Sequence, residues 1–257
     1  VQTGKPRMSL AAEAHATPAR PRPGSRFFVG MALAFLAAAA LGFGPSFYLR
    51  PFSEAAPLRP HVVVHGVVMT AWYLLLLVQV LLVARQRVDL HRQLGILGVL
   101  LALAVFATGL QVNLHIVGRA NAEQLEAFLG FATMGILGLL PFPLLVGLAV
   151  AWRRKPALHK RLMYWAFVLT IGPAFAPSRP MGAWLDGLVS PVLPFFPSDL
   201  LWVAALLVYD LRTLRRVHPA TWIGFLLLAA YLTVGLGWLS GNATVRSLIT
   251  AWAGVSG

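Results

Sequence analysis

The chain has 257 residues and a net charge of +13, with 58% hydrophobic and 11% charged residues and a mean hydropathy of +0.75. A soluble domain with so little charged surface would aggregate, so the composition excludes an ordinary water-soluble fold and makes lipid the solvent for most of the chain. There are no cysteines, which excludes disulfides, thiolate metal sites, covalent c-type haem attachment and cysteine nucleophiles.

Residues 1–26 are polar and rich in proline and arginine and read as a disordered cytoplasmic leader. No small-residue cleavage site closes the first apolar run, which argues against a removed signal peptide. Seven apolar stretches follow, at 27–48, 61–84, 94–117, 125–152, 161–177, 198–216 and 220–240. A spanning helix needs about 20 mainly apolar residues. The pattern therefore predicts an all-α integral membrane seven-helix bundle over 27–240. The second stretch carries no charge from Val62 to Ala84, a run of roughly 34 Å at helical rise. The sixth is the most polar: Pro197-Ser198 starts it, but Asp210 and Arg212 stand near its other end. Residues 241–257 are expected as a short outer tail, with an interfacial helix as one form for it.

Charge distribution predicts orientation. With the N-terminus inside, the inner segments hold 16 basic residues and the outer segments 5. Every inner segment has at least three, and the outer ones hold only Arg50, Arg59, Arg119, Arg179 and Arg246. That asymmetry fits the positive-inside rule loop by loop and places the C-terminus outside a bacterial inner membrane. The basic charge then serves topology and contact with anionic lipid, not nucleic acid. The segment 177–197 is different in kind, with Pro177, Pro180, Pro191, Pro194 and Pro197 among Trp184, Phe195 and Phe196. It is expected to lie along the interface with its aromatics at headgroup depth.

Histidine placement is the most informative chemical feature. His61 and His65 are four apart at the outer end of the second stretch, so they share a helix face. His115 is near the outer end of the third. Polar residues extend the group in two stripes: His65, Trp72 and Gln79 spaced by seven, and Thr108, Gln111 and His115. Polar side chains facing lipid are costly, so both stripes are expected to face protein, with Gln79 and Gln111 supporting the histidines. Three readings remain open for this outer group. One is axial ligation of a b-type haem by His65 and His115. Another is a zinc or copper ion held by His61, His65 and His115. The third is a purely structural role in capping and headgroup contact. On the inner side, His91, His159 and Asp210 form a second candidate site, for another haem or a quinone headgroup. Contact with lipid phosphate accounts for the histidines at those basic helix starts and is the stronger of the two readings. There is no phosphate-binding glycine loop, nucleophile elbow or carboxylate pair in the stretches.

The run His61-Val-Val-Val-His65-Gly66, then Gln79, then Leu90-His91-Arg92-Gln93-Leu94-Gly95 resembles a widespread group of bacterial multi-spanning membrane proteins. So do Gly44-Pro45-Ser46-Phe47-Tyr48, His159-Lys160-Arg161-Leu162-Met163, and Asp210-Leu211-Arg212-Thr213 with His218-Pro219. The His-Arg-x-x-Gly element is similar, more loosely, to membrane families of the DUF2306 kind. Histidines near both faces resemble the arrangement in cytochrome b561-type proteins, although here the inner ones stand at helix starts. The resemblance implies the membrane fold and singles out His65, His91 and His159; it implies no activity.

The leading expectation is a haem-binding or haem-linked redox protein of the inner membrane, exchanging electrons with a quinone or another redox partner. The runner-up is a non-enzymatic assembly factor or small-molecule carrier with a polar cavity. A metal-dependent membrane enzyme comes third.

Overall fold

The computed structural model describes residues 24–121, 123–176, 183, 197–236 and 238–254. Among these residues the fold is all-helical, with no strand. The helices are α1 (Ser25–Phe43), α2 (Pro60–Ala84), α3 (Val88–Val117), α4 (Leu125–Leu139), α5 (Pro141–Ala151), α6 (Pro156–Ile171), α7 (Pro197–Leu214), α8 (Pro219–Ala230) and α9 (Ala243–Trp252). The expected leader, apart from its last three residues, and most of the Pro-rich segment 177–197 with Trp184, Phe195 and Phe196 lie outside the described residues.

Five segments among the described residues are long and apolar enough to cross a bilayer: Ser25–Tyr48, Pro60–Ala84, Val88–Val117, Leu125–Ala151 and Pro219–Gly241. The fourth joins α4 and α5. Pro141 lacks the amide that would continue the helical ladder, yet Leu140 keeps helical dihedrals (φ −62°, ψ −42°), so the chain passes straight on into α5. The first ends in a widened π turn, Gly44–Tyr48, and the fifth carries another, Tyr231–Leu236, directly after α8.

The other two stretches read from the sequence are helical but depart from that pattern for a physical reason. α6 has only 16 residues, and Arg161, Leu162, Tyr164, Trp165, Ala166, Phe167, Val168 and Ile171 are all buried. A helix enclosed on so many sides meets protein rather than lipid, so it can keep polar groups that find partners. α7, with 18 residues, carries Asp199 and Asp210, both buried.

The core gathers around α6. Trp72 of α2 lies flat on Phe167 of α6, with centroids 4.5 Å apart, and Phe142 of α5 meets Trp72 edge-on at 5.5 Å. Phe35 of α1 stacks on Trp202 of α7 at 4.5 Å. Large apolar side chains also point outward: Ile96, Leu100 and Leu103 of α3 are 60–70% exposed. A row of that kind suits hydrocarbon and is foreign to a water-facing surface.

α2 and α3 are joined by a tight turn in which Gln86 takes a left-handed conformation, φ 62°. They run antiparallel, and each packs along the other more than on any other helix. This pairing carries the candidate side chains to two opposite ends of the bundle, called below the His61 end and the Gln86 end.

Candidate functional site

At the His61 end, proline starts α2 at Pro60, and the first turn brings His61 against His115 near the end of α3. The two rings stack with centroids 4.4 Å apart and planes 29° from parallel. His115 Nδ1 lies 2.9 Å from the carbonyl of Gln111, one turn back on its own helix, and donates its proton there. His65 is one turn deeper and does not join the stack. Its Nδ1 is 3.0 Å from Thr108 Oγ1 on α3, and Thr108 donates its own proton to the carbonyl of Ala104 at 2.7 Å. With that proton committed, Thr108 accepts from His65. A Cβ on neighbouring Gly109 would sit 3.7 Å from His65 Cε1.

The expected outer site of His61, His65 and His115 is thus divided into a stacked pair and a separate histidine. Stacked rings share their faces, whereas a ligand offers a nitrogen lone pair in the ring plane; the stack turns the faces of His61 and His115, not their nitrogens, toward each other. His65 makes its hydrogen bond directly across the α2–α3 contact through Nδ1, one turn from the stack. Among the described residues, no group of three or more His, Cys, Asp or Glu is disposed to hold a metal ion. Gln111 is exposed beside His115.

Gln79 requires a correction. It shares a face with His65 but lies 14 positions along the helix, about 21 Å away at helical rise. It belongs to the Gln86 end, where its amide packs on His91. With the amide nitrogen toward the ring, that nitrogen is 2.6 Å from His91 Nδ1 and 3.2 Å from the His91 carbonyl, and the amide oxygen accepts from Gly95 N–H at 3.2 Å.

His91 faces His159 there. The ring centroids are 6.1 Å apart and the planes nearly perpendicular, 84°. His159 stands in the first turn of α6, started by Pro156, and its Nδ1 donates to the carbonyl of Ala149 on α5 at 2.9 Å. That bond leaves Nε2 of His159 as the free nitrogen. Four helices therefore meet at this point: α2 through Gln79, α3 through His91, α5 through Ala149 and α6 through His159.

Asp210, expected with this pair, has another setting. It is fully buried, and one carboxylate oxygen accepts from Arg161 Nε at 2.8 Å and Nη2 at 2.5 Å. The other accepts from Thr221 Oγ1 at 2.6 Å and from the backbone N–H of His218 at 2.9 Å. His218 in turn caps α8, its Nδ1 accepting from Ala220 N–H at 3.1 Å. Partial burial and the charge of Arg161 hold His218 below its usual pKa, which keeps that nitrogen free to accept. Asp210 and His218 are framework groups tying α6, α7 and α8 together.

Three anchored imidazoles emerge that spacing alone did not reveal: His65, His115 and His159 each spend Nδ1–H on an oxygen of the fold. No family model, no curated protein and no solved structure matches the chain.

Proposed function

We propose that this chain is a multi-pass protein of the bacterial inner membrane with seven crossings and its N-terminus inside, and that it works as a haem-linked redox protein whose centre is held by His91 and His159. The charge asymmetry of the loops supports the orientation. The enclosed position of α6 supports counting it as a crossing despite its length, with α7 beside it.

The observation that carries the redox reading is the His91–His159 pair. The ring centres are 6.1 Å apart, near enough for one group to take a nitrogen from each, so His91 and His159 would be the residues that hold it. A histidine that ligates through Nε2 typically gives Nδ1–H to a carbonyl, as His159 does to Ala149. For His91 to match it, the Gln79 amide must turn over so that its oxygen accepts the Nδ1 proton, at the loss of the bond its oxygen accepts from Gly95 N–H. Bound haem would supply one-electron exchange. The protein's part is to hold the two rings, fix their protons at Ala149 and Gln79, and shield the pair within four helices. A membrane quinone is the natural electron partner at that depth.

The test is the absorption spectrum of protein purified from cells with ample haem and metal, together with zinc and copper analysis. A Soret band that is lost in His91→Ala and in His159→Ala but kept in His65→Ala and His115→Ala is expected. A colourless, metal-free preparation overturns the reading, and loss of haem only in the His65 and His115 variants moves the centre to the other end. The second reading, a non-enzymatic carrier or assembly factor, is favoured by a groove of about 400 Å³ beside His115.

A further inference from the structure

The groove beside His115 has a polarity that runs in one direction. Its deep wall is Ala107, Leu110 and Leu114 on one face of α3; Gln111 and His115 follow, and Arg119 stands at the mouth. Its volume of about 400 Å³ falls within the range of small-molecule sites, roughly 300–1,000 Å³. The far wall is made by Trp252 and Ala253 at the end of α9.

α9 is held in place to form that wall. The Asn242 side chain caps it, accepting from the N–H groups of Thr244 and Val245 at 3.0 and 3.2 Å. Ile249 is buried against Val117, Leu129, Ala132 and Ile136, and Arg246 forms an ion pair with Glu126 of α4. Gly118 lets the end of α9 approach α3: a Cβ there would stand 2.6 Å from the carbonyl oxygen of Ala253. Trp252 is 64% exposed beside the mouth, the setting of a ring at headgroup level.

We infer that this groove binds one anionic phospholipid, its phosphate at Arg119 and an acyl chain descending along Leu114, Leu110 and Ala107. The order of groups fits that occupant and no fully polar one: a cation at the membrane surface, then amphipathic side chains, then an apolar wall at the depth of the hydrocarbon. A free phosphate would use only the mouth. Arg59, which precedes α2 and acts on His61, adds positive charge at the same end of the bundle.

The site is tested by native mass spectrometry of the whole protein released from nanodiscs of phosphatidylglycerol, of phosphatidylcholine, or of an equal mixture. One retained phosphatidylglycerol is expected, selected over phosphatidylcholine in the mixture by about tenfold. Arg119→Gln should abolish the selection while keeping some lipid, and Leu114→Trp, which fills the groove, should remove the retained lipid. Ala107→Phe provides a second block should Leu114→Trp fail to fold. Equal retention of the two lipids by the unaltered protein, or undiminished retention in a folded blocked variant, overturns the inference. So does protection from thermal unfolding by inorganic phosphate equal to that given by the lipid. None of these readouts depends on haem, so the outcome is separate from that of the redox proposal.

Discussion

Arg161 and Asp210 form a buried ion pair in which Nε and Nη2 of the guanidinium converge on one carboxylate oxygen, at 2.8 and 2.5 Å. The residues are 2% and 0% exposed. Arg161 also donates through Nη1 to the carbonyl of Ala157, while Thr221 and the His218 amide satisfy the other oxygen of Asp210. Every bond to Asp210 comes from α6 or from the start of α8. The pair is a polar fastening of those helices to α7, beside the bonds from Tyr164 to the Trp202 carbonyl and from Lys160 to Tyr209.

Removing one member of a buried pair leaves the other charge without its partner, a loss of about 3–5 kcal/mol. Asp210→Ala should therefore lower the unfolding temperature in detergent sharply. Replacing both residues together, Arg161→Met with Asp210→Leu, should cost much less than Asp210→Ala alone. Equal losses in the two proteins would show that the pair's hydrogen bonds to the His218 turn matter more than its charges.

Gly224 of α8 faces Trp165 of α6 so closely that an added Cβ would overlap the indole ring. Trp165 is fully buried and has no room to withdraw. Gly224→Ala is expected to destabilise the protein by about 1–3 kcal/mol, the usual cost of overfilling a packed interior. Gly147 has open space around its Cβ position, so Gly147→Ala serves as the control. Comparable melting temperatures for the two variants would contradict the close packing of α6 and α8.

Thr108→Val removes the acceptor of His65 and keeps the volume. The stranded imidazole N–H should cost about 1–3 kcal/mol, measured by chemical or thermal unfolding. Because His65 lies away from His91 and His159, any haem spectrum should be unchanged. A shift in that spectrum would tie His65 to the centre.

The cysteine-free chain allows orientation to be read from single introduced cysteines with no prior replacements. Ser53→Cys and Arg154→Cys sit in exposed turns. An impermeant maleimide applied to spheroplasts should label the first, and the second only after lysis. The reverse pattern inverts the proposed topology.

The long apolar runs of α2 and α3 were legible because lipid demands them of both helices. α6 was legible as a helix but not as the centre of the molecule. Its Arg161, Tyr164 and Thr170 weaken the apolar pattern, and each finds its partner far away in sequence or on its own turn. The stripe of His65, Trp72 and Gln79 was a correct face but not a site, since a seven-residue period fixes direction and says nothing of depth. Asp210 and Arg212 are two apart and point to different sides of α7; Asp210 pairs instead with Arg161, 49 positions away, a distance no local pattern encodes. The meeting of His91 and His159 was hinted at by their shared place at helix starts on one side. The carbonyl that orients His159 belongs to α5 and carries no signature in side-chain sequence.

That carbonyl gives Pro141 a further significance. Ala149 is fixed to α5, and α5 meets α4 where the backbone ladder lacks a rung. α5 packs closely along α6, with Phe142, Leu145, Val146 and Ala149 all buried, so the Ala149 oxygen and the His159 ring it orients are held as one unit. The proline thus starts the short helix whose packing sets the direction of one imidazole, while the preceding α4 packs among α3 and α9 at the far end of the bundle.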